Sequence, residues 1–294
     1  MTEVVQQVVN ALSLGSTYAL LALGLAMVLA ILGMVNFAHG ELLTLGAYAM
    51  YGAYKLGLPF GVQVVVALAA AGAAGVAMER VAFRPLRGAG FATLLFASFA
   101  LSVVIQNSLR AFVSPRQLAL PVPSFFDDVI HVGGATIGWL QIITMASTAL
   151  ALIGLSIFLR RTTQGLGMLA AAQDFQIARL VGVPANRVIA TAFGISGLLA
   201  GLASIFDVAR VGTVSPSMGF QPVIAALIGT VIGGVGSLTG AVVGGFIYGA
   251  LQVAFDAALP TGLASYAPAF SLALVIAILY FRPQGILQQA AEER

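Results

Sequence analysis

The chain has 294 residues, of which 60% are hydrophobic and 8% are charged, and its formal net charge is +3. Ordinary soluble domains carry about 25% charged residues, so this composition excludes a water-soluble fold. Because a membrane-spanning helix needs about 20 apolar residues, we predict an all-α polytopic membrane protein of about eight or nine spans. Residues 1–294 then form a single transmembrane domain.

Several classes of enzyme are excluded by the residues that are missing. The sequence holds no cysteine and two histidines, His39 and His131, so disulfides, thiolate metal sites and cysteine nucleophiles are absent. No HExxH, GxxxxGK[ST] or GxSxG pattern occurs, and the arginines do not form a stripe with interleaved aromatic residues. We therefore expect a protein without catalytic residues, metal, cofactor or nucleic acid, whose energy source lies in other chains.

The apolar residues fall into nine runs along the chain. They cover residues 8–32, 42–54, 60–78, 91–112, 137–159, 188–208, 223–235, 241–255 and 266–281. The runs that begin at residues 42, 223 and 241 are short and rich in glycine, which predicts short tilted spans or broken helices.

Two breaks between runs are candidates for the path of a solute, because bare backbone at membrane depth must be buried or line a cavity. The first break is residues 36–41 and the second is residues 233–240. They occupy roughly corresponding places, which indicates an internal repeat.

The first break carries three candidate pathway residues, Asn36, His39 and Glu41. An ionisable side chain at membrane depth is costly and usually faces a cavity or a partner, which favours a gate or a polar lining. The alternative is an interfacial turn with His39 and Glu41 among the cytoplasmic headgroups, and Asn36 caps a helix or lines the path.

Ser237 and Thr239 in the second break are further candidates, since glycines there allow the backbone to approach a passing solute. The alternative is a plain tight turn. In the run 91–112, Gln106, Asn107 and Ser108 are amide and hydroxyl groups that need partners inside a bundle. We expect bonds between helices there, and keep Asn107 as a pathway candidate.

The arginines predict the orientation, because short cytoplasmic loops are enriched in Lys and Arg. The loop around Arg84 and residues 160–187 are predicted to be cytoplasmic. Residues 113–136, which include Asp127 and Asp128, are predicted to be external. Arg282 predicts a cytoplasmic C-terminus, and the N-terminus is external if all nine runs span.

The segment 160–187 is the one long polar interval predicted to face the cytoplasm. Its apolar residues have helical spacing and predict one amphipathic helix that ends at Gly182 and Pro184. The stripe consists of Met168, Ala171, Phe175, Ala178 and Val181. Such a helix lies on the lipid surface or docks in a groove of a partner.

This segment resembles the EAA-type loop by which permeases of ATP-binding cassette importers contact their ATPases. The resemblance rests on the three alanines at 170–172, on Asp174 and on Gly182. It implies a coupling helix that transmits ATPase motion through Ala170, Ala171, Ala172, Asp174, Phe175 and Gly182. Two departures, Leu169 and Gln173, weaken an ion pair with the ATPase.

Nearly the whole chain is similar to the LIV-type branched-chain amino-acid permeases. The similar segments are NALSLGSTY from Asn10, GMVNFAHGELLTL from Gly33, residues 172–182, residues 215–220, GGVGSLTGAVVGG from Gly233, and residues 282–285. The resemblance implies a permease subunit in a bacterial inner membrane, with a second identical or homologous permease. It also implies two cytoplasmic ATPase subunits that use ATP and an external solute-binding protein.

The substrate stays open between amino acids and other small polar solutes. Many members of that family carry a lysine after the residues that correspond to Gly219 and Phe220, whereas this chain continues with Gln221 and an uncharged run. Urea, short amides and other amino acids are therefore alternatives to branched-chain amino acids. The rival from another class is an ion-coupled carrier, which needs more ionisable residues in its spans than this chain offers.

Overall fold

A computed structural model of the chain describes residues 2–132, 135–260, 262–263, 266–282 and 285–286. The described residues form eleven α-helices. These are α1 (Thr2–Leu32), α2 (His39–Lys55), α3 (Phe60–Met78), α4 (Phe91–Phe112), α5 (Trp139–Arg161), α6 (Thr163–Gln173), α7 (Phe175–Leu180), α8 (Ala185–Val211), α9 (Phe220–Gly233), α10 (Leu238–Ala258) and α11 (Ala267–Phe281). A π-helical turn, Glu79–Phe83, extends α3.

Four short strands lie between the helices. Strand β1 (Leu118–Ala119) pairs antiparallel with β4 (Thr213–Val214), and β2 (Val129–Val132) pairs antiparallel with β3 (Ala135–Gly138). These two small sheets are the ones that the described residues contain, and neither is closed. The all-α polytopic fold is therefore confirmed.

All nine predicted runs are helical, but one prediction about their lengths is wrong. Among the described residues, six helices are long and apolar enough to span a membrane: α1, α3 with its π turn, α4, α5, α8 and α10. Helices α2 and α9 are short, as predicted, with 17 and 14 residues. The run from residue 241 belongs to the 21-residue helix α10, whose glycines allow close packing and do not break it.

Arginines from several segments gather at one end of the bundle, which we call the basic end. A cavity there is lined by Gly33, Arg87, Arg179 and Arg187. We call the other the strand end, because it holds β1 to β4. The start of α1 lies at the strand end, where the Gln6 Oε1 accepts a 2.8 Å hydrogen bond from the Thr136 backbone N–H.

The four helices before α5 (α1–α4) and the last four helices (α8–α11) both begin with a long, a short and a long helix, but the two sets run in opposite directions through the bundle. Helices α1 and α3 run toward the basic end, whereas their counterparts α8 and α10 run away from it. The packing is matched too, since α1 packs along α10 as α3 packs along α8, and α2 packs on α3 as α9 packs on α10. This arrangement is an inverted repeat of α1–α4 and α8–α11, a common plan in transporters.

Of the two breaks that the sequence indicated, the first corresponds in this repeat and the second does not. Residues 33–38 precede the short helix α2, and residues 212–219 precede the short helix α9. The glycine-rich segment 233–240 is instead the link from α9 to α10. Glycine content alone misidentified the second break because glycines also serve helix packing.

Candidate transport pathway and coupling loop

Asn36 shapes the turn between α1 and α2. Gly33, with φ +66°, ends α1, and the Asn36 Oδ1 accepts a 3.0 Å hydrogen bond from the Ala38 backbone N–H. The side chain is 1% exposed. Its short polar group satisfies the backbone locally, as Asn does in turns, so Asn36 fixes where α2 begins.

His39 and Glu41 lie inside the bundle, at 0% and 1% exposure. The His39 Nδ1 is 3.0 Å from the Ser196 Oγ of α8, and its ring faces Gly24 of α1. Gly24 is eight residues before Leu32, the last residue of α1, which is about 12 Å along the helix axis. Both side chains are therefore enclosed by protein, because the turn folds back into the bundle.

The amino ends of α2 and α9 meet at this depth. The Gly219 backbone N–H donates to the Thr44 Oγ1 over 3.1 Å. A Cβ added to Gly219 would lie 1.9 Å from the Gly40 carbonyl oxygen, and one added to Gly40 would lie 2.3 Å from the Gly219 carbonyl oxygen. Only glycine fits at both positions, and we call this contact of Gly40, Thr44 and Gly219 the crossing.

Helices α2 and α9 leave the crossing in opposite directions. The carboxyl end of α2 reaches the strand end, where Tyr48 and Met50 cluster with Leu120 and Val214. The carboxyl end of α9 reaches the basic end, where the Ile232 carbonyl accepts from the Ile286 N–H over 2.8 Å. Two half-helices that meet by their amino ends are the arrangement that transporters use near the membrane midplane.

Glu41 connects α2 to helix α4. Its Oε1 accepts hydrogen bonds of 2.8 Å from both the Ser102 Oγ and the Gln106 Nε2. One turn earlier in α4, the Ser98 Oγ accepts from the Phe37 backbone N–H over 3.2 Å. The expected bond between helices at Gln106 is confirmed.

Ser98, Ser102 and Gln106 are spaced by four residues and so share one face of α4, which we call the polar stripe. Ser98 and Ser102 are not among the candidates predicted from the sequence. Their spacing to Gln106 within a phenylalanine-rich run was the signal that could have revealed them.

Asn107 is not part of this group. Its side chain is exposed, and its Nδ2 donates to the Val103 carbonyl of its own helix over 2.9 Å. Its Oδ1 accepts from Arg110 over 3.3 Å. Since Asn107 follows Gln106 directly, it faces away from Glu41, and the structure does not bring it to the other candidates.

Ser237 and Thr239 lie at the basic end and not at the crossing. The Ser237 Oγ accepts from the Gly240 N–H over 3.0 Å and caps α10, and it lies 3.2 Å from the Thr239 Oγ1. Both line a cavity of about 510 Å³ together with Arg160, Ala172 and Gln173. They therefore adjoin the predicted coupling segment.

That segment forms two helices, so the prediction of one continuous amphipathic helix is wrong. Asp174 ends α6 in an extended conformation, and its Oδ1 accepts from the backbone N–H groups of Gln176 and Ile177 at 2.8 and 2.9 Å. An Asp side chain that caps a new helix stabilises such a break. We call α6, Asp174 and α7 the coupling loop, after the role that the resemblance predicts for this segment.

The predicted apolar stripe is divided between the bundle and the surface. Met168, Ala171 and Ala178 are buried against the bundle, whereas Val181 is 75% exposed. Ala170 and Ala172 are half-buried, as is Phe175, which lines the larger basic-end cavity of about 1300 Å³.

The end of the loop matches the prediction. Gly182 adopts φ +92°, and the Val183 N–H reaches back to the Ala178 carbonyl over 3.0 Å. This is a glycine-dependent helix end. The surface of α7 that remains free is apolar, with Ile177 58% exposed and Leu180 86% exposed.

No metal site accompanies these features. In the part of the chain that the structure describes, no three His, Asp or Glu side chains come together as metal ligands. Pro283 and Gln284 of the similar segment 282–285, and the C-terminus whose side was predicted, lie outside the described residues.

Comparison with known proteins places this architecture in a family. A family model described as "Branched-chain amino acid transport system / permease component" matches residues 7–281. The chain is 35% identical to the high-affinity branched-chain amino acid transport system permease protein BraD of Pseudomonas aeruginosa, over 98% of this chain and 97% of that protein.

Two relatives from Escherichia coli extend the comparison. The chain is 35% identical to the permease protein LivH over 98% of this chain and 97% of that protein. It is 29% identical to the permease protein LivM over 71% of this chain and 54% of that protein. No solved structure matches the chain. The inverted repeat with its two half-helices thus belongs to a transport protein, and the chain is a member of the family of permease components of branched-chain amino acid transport systems.

Proposed function

We propose that this chain is a permease subunit of an ATP-binding cassette importer that moves amino acids, foremost branched-chain ones, into a bacterial cell. The observation that carries the proposal is the match of nearly the whole chain to permeases of branched-chain amino acid transport systems. The crossing of α2 and α9 supports it, because transporters bind their solutes where two half-helices meet inside the bundle.

The arginines support an orientation with the basic end in the cytoplasm of an inner-membrane protein. Helix α1 then begins outside, and the chain after α11 is inside. An external solute-binding protein docks at the strand end. A second permease, identical or homologous, completes the path.

The coupling loop is the proposed contact for the ATPase subunits, which use the ATP that this chain has no motif to bind. Its exposed apolar face, Ile177 and Leu180, stands beside the basic-end cavity that Phe175 lines. An apolar helix face next to a cavity can dock in a groove of a partner, which then moves together with the loop. Asp174 caps the start of α7 and Gly182 ends it, and Ala170, Ala171 and Ala172 pack α6 against the bundle.

The transport proposal is tested by reconstituting the chain with its partner permease, ATPases and binding protein in liposomes. We expect leucine uptake that requires ATP, the ATPases and the binding protein. Uptake by this chain alone, driven by an ion gradient, would overturn the importer and establish the ion-coupled carrier.

The docking proposal is tested by co-purification of the ATPases with an Ile177→Glu/Leu180→Glu variant. Both side chains are exposed, so folding should be retained while ATPase capture falls at least tenfold. Leu56→Glu is the matched control, because Leu56 is 78% exposed beyond the carboxyl end of α2, at the strand end. Equal capture by the variant and the control would refute the docking role.

A further inference from the structure

The carboxyl group of Glu41 is buried and has one oxygen without a partner. The side chain is 1% exposed, and one oxygen, Oε1, takes both hydrogen bonds from the polar stripe. The other oxygen, Oε2, has no hydrogen-bond partner among the described residues. Neither ion pair in the described part of the chain involves Glu41.

The Glu41 carboxyl group lies next to the crossing, because Thr44 belongs to the crossing. Thr44 is adjacent to the carboxylate, but its hydroxyl donates to the Gly40 carbonyl over 3.3 Å and accepts from the Gly219 N–H. The Thr44 hydroxyl therefore has its own partners on α2 and α9. The carboxylate keeps one unused acceptor next to the point where the two half-helices meet.

A buried charge without a partner is costly and marks a functional position in membrane proteins. The position of Glu41 in the first turn of α2 and the two donors from α4 stabilise the carboxylate. They leave Oε2 able to accept from one more donor. A cationic N–H group is the partner that stabilises it most.

Access to Glu41 depends on α4, which covers it. Only 11% of the apolar window of α4 is buried, against 89% for α1. The contacts of α4 with α2 and with the turn before α2 include the hydrogen bonds of the polar stripe and an edge-on pair of rings, Phe37 and Phe99. Because most of α4 is exposed, we expect a small displacement of α4 to uncover Glu41.

We propose that Glu41 binds the ammonium group of the transported amino acid at the crossing. This inference rests on the proposed function, and it names the chemical group by which that site recognises its substrate. A transported amino acid supplies an ammonium group only while it is bound. The charge of the carboxylate is therefore neutralised in the occupied site and has no counter-charge in the empty one. Solutes without an ammonium group gain no such bond.

The test measures how ligands stabilise the purified permease in nanodiscs against heating. Three probes at millimolar concentration separate the groups: leucine, leucinamide, which keeps the ammonium but has no carboxylate, and 2-hydroxy-4-methylpentanoate, which has no ammonium. We expect leucine and leucinamide to raise the unfolding midpoint of the wild type and the hydroxy acid not to do so. Glu41→Gln should weaken the apparent affinity for both amines at least tenfold.

The matched control is Asp207→Asn, which removes another nearly buried carboxylate, 9% exposed, that is already paired with Arg210. It should retain the response to both amines. Equal stabilisation by the hydroxy acid, an unchanged response in Glu41→Gln, or no stabilisation by any probe would overturn the assignment. ATP-driven uptake by the wild-type transporter tests the proposed function separately, so failure of one is distinguishable from failure of the other.

Discussion

Helices α1 and α4 are both long and apolar, yet different forces hold them in the bundle. Helix α1 is surrounded by α8, α9 and α10, and glycines let these backbones come close: a Cβ on Gly245 would lie 2.7 Å from the Ala19 Cα. Helix α4 faces outward with Phe96 and Phe99 and is joined to α2 by the polar stripe.

The difference teaches what each helix does. Apolar side chains gain no hydrophobic advantage from leaving lipid, so helices in membranes associate through close packing or through hydrogen bonds. Close packing along α1 favours a helix that keeps its position in the bundle. A few hydrogen bonds along α4 favour a helix that can separate and return.

The largest effect is expected where the packing of α1 is broken. Gly245→Val would place its side chain against the α1 backbone, where no rotamer relieves the overlap. We expect a cost above the about 1–3 kcal/mol that is usual for overpacking. The measured midpoint of thermal unfolding in detergent should then fall by roughly 10 °C or more.

Gly154→Val is its control, because no atom lies within 4 Å of a Cβ at Gly154 in α5. A similar loss in both variants would mean that valine in a membrane helix, and not the contact of α1 with α10, is responsible.

A smaller effect is expected when the polar stripe is removed. Ser102→Val/Gln106→Leu leaves both oxygens of a buried carboxylate without donors, at a cost of about 3 kcal/mol. Hydrogen exchange should become faster in α4 and stay slow in α1. Adding Glu41→Gln should recover part of the stability; no recovery would show that the carboxylate is not what the stripe stabilises.

Ser98→Ala should cost less, about 1 kcal/mol, because one partly buried backbone N–H, that of Phe37, loses its acceptor. The midpoint of thermal unfolding measures this loss. Ser98→Thr keeps the hydroxyl and serves as the control, so equal losses in the two variants would indicate that the hydrogen bond contributes nothing.

The smallest effect is expected on the outer face of α4. Phe96 is 71% exposed, and Phe96→Ala should change the stability of the isolated chain by no more than about 0.5 kcal/mol. The same variant in the assembled transporter reports whether the second permease covers this face. A large loss in the isolated chain would contradict the outward position of α4.

The helices could be predicted from the sequence because most apolar runs are long and because polar residues or glycines mark the ends of the runs. The burial of His39 and Glu41 could not be predicted, since no sequence periodicity indicates that the turn at Asn36 folds back into the bundle. The second break was misplaced because Gly233 and Gly240 serve the packing of α9 on α10, whereas Pro216 and Gly219 mark the true one. Asp174 was placed on a helix because its capping bonds depend on backbone geometry.

The two half-helices also have a mechanical consequence. Helices α2 and α9 hold 17 and 14 residues, which together equal the 31 residues of α1. We expect each of them to tilt separately about the crossing, the pivot, whereas α1 is one continuous helix. A tilt of α9 by roughly 10° about the pivot displaces its far end by about 4 Å, given a rise of about 1.5 Å per residue. Movement at one face of the membrane can thus leave the other face closed.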